Sequence, residues 1–224
     1  MTQEQWTAVD RHLTNLLVPP ESALEAALAA SAAAGLPPIH VSPVQGKLLQ
    51  LLAQMQGARR ILEIGTLGAY STIWLARALP PGGRLITLEA DPKHAEVARA
   101  NLARAGLTSI VELRLGNAVD TLSQLAAEGH GPFDLIFIDA DKPNTPTYFT
   151  WALKLSRRGS LIIIDNIVRR GAVVDAASSD PAVQGVRRLL ELIAAEARVS
   201  ATGIQTVGSK GYDGFALARV IADP

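Results

Sequence analysis

From residue 60 onward, the chain alternates between short apolar runs and segments that have the length and composition of helices. Five such runs follow one another, at 61–64, 85–88, 110–113, 135–138 and 161–164. Nearly continuous apolar strands that alternate with helices are typical of a parallel sheet covered by helices on both faces. The pattern therefore predicts an α/β fold with right-handed crossovers between its strands.

The last two apolar runs are joined differently. Residues 199–207 and 215–221 are separated only by the glycine-rich stretch 208–214. This link is too short for a helical crossover, so the two strands are predicted to pair antiparallel at one edge of the sheet.

The pattern before residue 57 is helical. Three segments carry apolar residues at helical spacing, and prolines end the first two. Ser42 and Pro43 have the residue types of an N-cap and a first helical position, which predicts the start of the third helix. The chain has no internal repeat and no low-complexity linker. We predict a single domain over 1–224, with a helical N-terminal extension or lid at 1–56 and an α/β core at 57–224. The extension either serves packing alone or uses its loop at 39–41 to cover a site.

The composition excludes several classes of function. The 224 residues include 21 basic and 21 acidic side chains, so the formal net charge is zero. The chain therefore has no overall positive charge that would attract nucleic acid or an anionic membrane surface. The absence of cysteine excludes disulfides, thiolate nucleophiles and cysteine-based metal sites. No apolar run approaches the roughly 18–20 residues that span a bilayer, and no signal-peptide layout is present. We expect a cytoplasmic protein with neither a nucleic-acid partner nor a membrane partner.

Small, polar or acidic residues follow all five runs, where the strands of an open α/β sheet end and ligands bind. Capping explains any one of them, but five together favour a ligand cleft. The first loop begins at Gly65 and has neither G-x-G-x-x-G nor a P-loop pattern, which argues against a pyrophosphate. Glu89 ends the second run, where an acid usually binds ribose hydroxyls. Glu63, inside the first strand, is expected to accept hydrogen bonds from backbone N–H groups of the loop or from a ligand. A nucleoside without a diphosphate fits these features best.

Two acids and an amide end the fourth and fifth runs. Asp139, Asp165 and Asn166 offer hard oxygen ligands on strands that are predicted to be neighbours. Such a set suits an octahedral ion of the Mg²⁺ type, and the alternative is helix capping by Asp and Asn. Lys142 follows in the same loop as Asp139 and is either a general base or a solvated charge.

The order and separation of these motifs resemble a known family. The motifs are ILEIGTLGAYS at 61–71, LEAD at 88–91, GNA at 116–118, FIDADK at 137–142, IIDN at 163–166 and VGSKGYDGFALA at 207–218. From about residue 39 to 220 the chain resembles a bacterial-type member of the cation-dependent, S-adenosylmethionine (SAM)-dependent O-methyltransferases, which include caffeoyl-CoA and catechol O-methyltransferases. The resemblance implies a Rossmann-like class I methyltransferase: a mostly parallel seven-stranded sheet with an antiparallel C-terminal hairpin and a helical N-terminal extension.

The resemblance also implies a SAM site. Eight positions match residues that bind SAM in that family: Val41, Glu63, Gly65, Thr66, Ser71, Glu89, Ala118 and Asp139. The first matches a residue that closes over the cofactor, and the next four match positions that hold its methionine part. Glu89 matches the ribose acid, and Ala118 lies where the family contacts the adenine.

Asp139, Asp165 and Asn166 match the metal ligands of the family. Lys142 matches the catalytic base, with Asp139 beside it, and both Lys142 and Asp141 match positions on the substrate side. The family chemistry uses a divalent cation, with Mg first and Ca or Mn as alternatives, to bind two vicinal oxygens of a catechol-like or phenolic small molecule. Lys142 then takes the phenolic proton or stabilises the phenolate, which attacks the methyl group. The resemblance further implies a homodimer.

The chain departs from the family pattern in two places. Ala69 stands where the family usually has the second glycine of its first loop, and Gly68 precedes it. Arg169 and Arg170 stand near positions where plant enzymes that act on CoA esters have an aromatic residue and an amide, so a CoA-ester acceptor is not implied. The two arginines either bind an acidic substituent of the acceptor or are solvated.

Three other functions stay open at this point. They are a nicotinamide-dependent oxidoreductase on a Rossmann-like sheet, a metal-dependent sugar transferase and a non-catalytic cofactor-binding protein. The missing G-x-G-x-x-G argues against the first. Asp165, Asn166 and Glu89 fit the second poorly. The presence of two candidate catalytic residues and two further candidate metal ligands argues against the third; these are Asp139, Lys142, Asp165 and Asn166.

Overall fold

A computed structural model describes residues 2–223 of the chain. Its helices are α1 (Gln3–Leu17), α2 (Ser22–Ala33), α3 (Pro43–Met55), α4 (Tyr70–Ala76), α5 (Pro92–Arg104), α6 (Ala118–Ala127), α7 (Thr145–Lys154) and α8 (Pro181–Ala195). Its strands are β1 (Arg60–Ile64), β2 (Arg84–Glu89), β3 (Val111–Leu115), β4 (Leu135–Ile138), β5 (Leu161–Asp165), β6 (Val199–Gly208) and β7 (Gly211–Val220).

The seven strands form one sheet in the order β3-β2-β1-β4-β5-β7-β6. The first five are parallel, β7 runs antiparallel to β5, and β6 runs antiparallel to β7. The predicted fold class is therefore confirmed. The chain moves outward from β1 to β3 on one side and from β4 to β5 on the other, so the strand order reverses between β1 and β4. Ligands of open α/β sheets bind at such a switch point, at the carboxyl ends of the strands.

The central strands β1, β2, β4 and β5 are buried on both faces, as nearly continuous apolar strands require. Leu62 and Ile64 of β1 face a core formed with α6, α7 and α8, whereas Ile61 faces a second core formed with α2, α3, α4 and α5. Burial of one such side chain stabilises the fold by about 1.5–3 kcal/mol. Glu63 lies among these apolar residues and is fully buried. Its carboxylate therefore needs donors from within the protein.

The C-terminal hairpin forms as predicted, but its boundaries differ. Ser209 and Lys210 alone make the turn, because Gly208 pairs with Gly211 and the ladder continues from there. Strand β7 thus begins at Gly211, and the prediction that residues 208–214 are a link was wrong. Gly211 has a φ of 96°, which favours glycine in so tight a turn.

The N-terminal extension packs against the sheet and its hairpin. The Ser42 hydroxyl accepts a bond from Gln45 N at 3.3 Å, so α3 has the predicted N-cap. Asp10 of α1 accepts bonds from the backbone N and the hydroxyl of Ser209, which anchors α1 to the turn between β6 and β7. Within residues 2–223, none of the helices is both long enough and apolar enough to cross a membrane.

Candidate active site

A cavity of about 600 Å³ opens at the carboxyl ends of β1, β2 and β4, where the strand order reverses. Its floor is the loop after β1, and its wall on the other side comes from α2 and the residues that connect α2 to α3. This volume is typical of a small-molecule or cofactor site. A second cavity of about 510 Å³ adjoins it near β5 and the turn between β6 and β7.

The loop after β1 requires glycine at its first position. Gly65 has a φ of 100°, and a Cβ at this position would collide with the backbone oxygen of Asp139. The end of β1 can therefore approach the end of β4 only because Gly65 lacks a side chain. This contact brings the loop after β1 beside the acids that follow β4.

Ala69 has a left-handed backbone, with φ 66° and ψ 22°. This conformation is the one that glycine adopts freely and that costs other residues roughly 1–2 kcal/mol. Ala69 is fully buried, and its carbonyl accepts the bond from Ile73 N that begins α4. The departure from the family pattern is thus accommodated by a strained residue at the start of the helix.

The carboxylate of Glu63 is held by three hydroxyl donors. Ser71 Oγ donates to Oε1 at 2.7 Å, whereas Thr72 Oγ1 and Thr87 Oγ1 donate to Oε2 at 2.5 and 2.7 Å. Burial raises the pKa of Glu63 to about 7, although the three hydrogen bonds act to lower it. Glu63 lies behind the wall of the large cavity, which Ser71 lines directly.

Glu89 fixes two loops at once. Its Oε2 accepts bonds from Thr66 N at 3.3 Å and Leu67 N at 2.7 Å, in the loop after β1. Its Oε1 accepts bonds from Ala90 N and Asp91 N, in the loop after β2. The carboxylate lines the large cavity and is 9% exposed, so it can also meet a ligand hydroxyl.

The acids that follow β4 and β5 lie side by side, because Ile138 pairs with Ile164 in the register of the two strands. Lys142 Nζ donates to Asp139 Oδ1 at 2.9 Å, and the Lys142 side chain is only 10% exposed. Burial raises the pKa of Asp165 to about 7, and the negative charge of Asp139 raises it further, against the effect of Lys142. A region of dense negative charge therefore lies at the edge of the cavity.

This region fits a divalent cation. A positive charge would relieve the repulsion that Asp139 exerts on the buried carboxylate of Asp165, and Asn166 offers an amide oxygen next in the chain. Asn166 has a φ of 60°, a left-handed conformation that Asn tolerates better than most residues. Within residues 2–223, no group of three or more His, Asp or Glu side chains forms a complete metal site. Asp139, Asp165 and Asn166 would hold such a cation.

Three contacts around these acids were missed from the sequence. Gln45 Nε2, in the first turn of α3, donates to Asp165 Oδ2 at 2.7 Å. Asp141 accepts bonds from the hydroxyl of Tyr148 at 2.5 Å and from Asn144 Nδ2 at 2.7 Å. Ser42 and Pro43 located the start of α3, but no local pattern indicated that its first turn faces β5.

The loop between α2 and α3 covers the site. Ile39, His40 and Val41 line both cavities, and Val41 is buried. The interpretation that this loop covers a site therefore agrees with its position, although the same segment also packs. Burial lowers the pKa of His40 to about 4, with a further contribution from Lys210, so the imidazole is neutral near pH 7.

The residues that the sequence proposed for the site lie around the two cavities, with Glu63 the exception. Those that line the large cavity are Val41, Gly65, Thr66, Ser71, Glu89, Ala118, Asp139, Asp141, Lys142 and Asn166. Asp165 lines the adjoining cavity, and Asn166 reaches both. The large cavity is also lined by residues that the sequence did not indicate, among them Ser31, Leu67, His94, Asn117 and Tyr148.

Comparisons with a family model, with curated proteins and with solved structures all find O-methyltransferases. The model of the O-methyltransferase family matches residues 20–221. A catechol O-methyltransferase of Niastella koreensis is 57% identical over 220 residues, which cover 98% of this chain and 100% of the relative.

Two solved structures are similar over almost the whole chain. The O-methyltransferase from Bacillus cereus in complex with SAH has 62% identity and a TM-score of 0.97, over 98% of this chain and 100% of its own. The O-methyltransferase TomG from Streptomyces achromogenes, involved in tomaymycin synthesis and solved with SAM, has 54% identity and a TM-score of 0.96, over 99% and 100% of the two chains.

Proposed function

This chain belongs to the O-methyltransferase family and is a SAM-dependent enzyme, and we propose that it methylates one hydroxyl of a catechol-like acceptor with the help of a divalent cation. The observation that supports the proposal is the position of Asp139 and Lys142. Both line the cavity that reaches the loop after β1, and Asp139 also adjoins Asp165 at the end of β5. A methyl donor in the cavity and an acceptor held at the acids would therefore meet at these two residues.

The reaction requires little covalent chemistry from the protein. SAM supplies a methyl group on a positively charged sulfur. The acceptor oxygen forms a bond to the methyl carbon while the carbon–sulfur bond breaks, the sulfonium becomes a neutral thioether, and the hydroxyl proton leaves. Catalysis then depends on the alignment of the two reactants and on stabilisation of the charge on the acceptor oxygen.

The methionine end of SAM would lie against the loop after β1. Gly65, Thr66 and Ser71 line the cavity there, and Glu63 acts through Ser71 as a positioning residue. Glu89 would accept bonds from the ribose hydroxyls, and Ala118 would lie against the adenine. Val41 would close the cavity from the side of the extension.

The acceptor would be bound by a cation held by Asp139, Asp165 and Asn166. When bound, a Mg²⁺-type ion would lower the pKa of a coordinated hydroxyl. Ca²⁺ and Mn²⁺, which also take oxygen ligands, are the alternatives. Lys142 Nζ, already beside Asp139, stabilises the negative charge on the acceptor oxygen or takes its proton. Asp141, fixed by Tyr148 and Asn144, faces the acceptor side of the cavity.

The direct test is methyl transfer from labelled SAM to a panel of vicinal diphenols, matched monophenols and dimethoxy analogues. We expect product only from the phenols, with a strong preference for vicinal diphenols. Treatment with EDTA should abolish turnover, and added Mg²⁺ should restore it. Turnover that is indifferent to chelation would contradict the role of a cation, and no turnover on any diphenol would contradict the acceptor class.

The alternatives raised by the sequence are not favoured. A nicotinamide-dependent oxidoreductase lacks support because the chain matches the O-methyltransferase family over residues 20–221 and has no G-x-G-x-x-G. The same match disfavours a sugar transferase. A non-catalytic binding protein would not need Lys142 paired with Asp139 inside the cavity.

A homodimer is part of the proposal. Strand β6 is an edge strand that is almost entirely exposed, and α1, which packs beside it, exposes Val9, Leu16 and Leu17. A long exposed edge next to exposed apolar side chains is typical of an interface between subunits. We expect sedimentation equilibrium to give twice the mass of the chain, and L16D/L17D to give the mass of one chain. A wild-type monomer at micromolar concentration would contradict the dimer.

The cytoplasmic location stays a prediction.

A further inference from the structure

Arg169 differs from a solvated arginine in its surroundings. It follows β5, lines both cavities and is only partly exposed, whereas the neighbouring Arg170 is exposed and lines the second cavity alone. The Nε of Arg169 is buried and has no hydrogen-bond partner. A buried N–H of a charged group without an acceptor is costly, and a ligand oxygen would remove that cost.

The backbone at Arg169 is held in an uncommon conformation. Arg169 and Arg170 have φ values of 54° and 55°, in the left-handed region that costs L-residues free energy. Hydrogen bonds to Asp213 offset this free-energy cost. Its Oδ1 accepts bonds from the backbone N of Val168 and of Arg169, both at 3.0 Å. Strain that the surrounding structure maintains is concentrated at functional sites. Here the residue held in this conformation lines both cavities.

A second cation lies on the same side of the site. Lys210, in the turn between β6 and β7, lines the second cavity and donates to the carbonyl oxygen of Pro38 at 3.0 Å. Burial lowers the pKa of Lys210. Among residues 2–223, neither Lys210 nor Arg169 forms an ion pair with a carboxylate.

The carboxylates that line the second cavity already accept hydrogen bonds from groups other than the Arg169 and Lys210 side chains. Asp213 binds backbone N–H groups, Asp180 caps α8 through Ala182 N, and Asp165 accepts bonds from Gln45 and from the backbone N of Asn166. The second cavity thus combines the candidate metal ligands at one end with two cations that have no acidic partner.

We propose that Arg169, supported by Lys210, binds a carboxylate on the acceptor, so that the preferred substrates are vicinal diphenols with an acidic substituent. The planar guanidinium of Arg169 suits a carboxylate better than a compact ammonium does. The inference rests on the proposed function, because it assumes that the diphenol oxygens lie at Asp139, Asp165 and Asn166. Arg169 is then a residue that determines acceptor specificity and takes no part in methyl transfer itself.

The test compares 3,4-dihydroxybenzoate with 3,4-dihydroxybenzamide, which is similar in shape and neutral. For the wild-type enzyme with Mg²⁺ and SAM, we expect kcat/KM for the acid to exceed that for the amide by at least about tenfold, the effect of one hydrogen bond to a charged group. R169M should reduce this ratio to near one, and K210M should reduce it partly. R188M is the matched control, because exposed Arg188 on α8 lines neither cavity, and it should keep the wild-type ratio.

The outcomes separate the inference from the proposed function. No preference for the acid in the wild type, or an equal loss of both substrates in R169M, would overturn the inference while leaving diphenol methylation intact. If no diphenol is methylated, the proposed function fails. Calorimetric titration of the acid and the amide, with SAH and Mg²⁺ present, then tests the inference directly. We expect tighter binding of the acid to the wild type and equal binding of both to R169M. R169K, which keeps the charge, should give an intermediate ratio if R169M does not fold.

Discussion

The side-chain amide of Gln45 donates a 2.7 Å hydrogen bond to Oδ2 of Asp165. The first turn of α3 thereby supports an acid on β5, and a residue of the N-terminal extension becomes part of the candidate metal site. A carboxylate that is oriented by a second hydrogen-bonding residue binds a cation in a more defined geometry.

The contact predicts that Gln45 affects affinity for the cation. We expect Q45A to raise the Mg²⁺ concentration needed for half-maximal activity by about 10-fold or more, as for other residues that orient metal ligands. The control is Q54A, which removes an exposed glutamine near the end of the same helix and should leave this Mg²⁺ concentration unchanged. Identical Mg²⁺ dependence in Q45A and the wild type would show that the hydrogen bond is only structural.

Asp165 is expected to be essential for the cation and dispensable for SAM. D165N keeps the size of the side chain and removes one of the two charges at the candidate site, so it should lower kcat by at least about 100-fold. Its affinity for SAM, measured by calorimetry, should stay within about threefold of the wild type, because Asp165 does not line the large cavity. A parallel loss of SAM binding would mean that the metal site has been misplaced.

Lys142 is expected to act at the acceptor oxygen through its charge. The ammonium forms an ion pair with Asp139, so K142M removes a cation from the reacting centre and should lower kcat by about 100-fold or more. K142R keeps the charge and should retain at least tenfold more activity than K142M. Equal inactivity of the two variants, with SAM binding intact in both, would instead favour Lys142 as the base that takes the proton.

The buried carboxyl of Glu63 predicts a dependence of stability on pH in the absence of SAM. Its folded pKa of about 7 lies above the ordinary value of 4.5, mainly because of burial, and the charge of Asp139 adds to the shift. The stabilisation is therefore complete below about pH 4.5 and is lost as the pH rises toward 7. Between pH 5 and pH 8 this amounts to about 2 kcal/mol of the free energy of unfolding.

Urea denaturation of the wild type and E63Q at both pH values measures this effect. The difference in unfolding free energy between the two proteins should shift by about 2 kcal/mol in favour of E63Q at the higher pH. Only the change with pH is diagnostic, because Gln also alters the bonds to Ser71, Thr72 and Thr87 at every pH. A difference that stays constant from pH 5 to pH 8 would contradict a raised pKa.

Gly65 and Gly57 form a matched pair for the loop after β1. Both have positive φ, but a Cβ on Gly57 would meet no atom within 4 Å, whereas one on Gly65 would collide with the backbone of Asp139. G57A should cost about 1 kcal/mol of stability from the backbone alone. G65A should cost at least about 2 kcal/mol more and weaken SAM binding. Equal costs in urea denaturation would show that β1 and β4 can separate without penalty.

The sequence determined the architecture of the sheet. The apolar runs near residues 61, 85, 135 and 161 became the parallel strands β1, β2, β4 and β5, because a strand buried on both faces must be apolar at nearly every position. The run near residue 110 became the parallel edge strand β3, which is only partly buried. The short link between the last two runs also determined their antiparallel pairing. Only the length of that link was wrong, since Gly208 and Gly211 read as turn residues but continue the ladder.

The sequence also determined which acids end which strands, and hence that Asp139 and Asp165 would be neighbours once the sheet order was known. The tertiary structure decided everything that depends on contacts between distant segments. Gln45 reaches Asp165 across 120 positions of sequence, and Asp213 of the C-terminal hairpin holds the backbone of Arg169. Local patterns report which face of a helix or strand is buried, but they do not report what that face meets. For this reason the sequence left Arg169 as either a ligand residue or a solvated charge, and only its buried Nε and its position on both cavities distinguished it from Arg170.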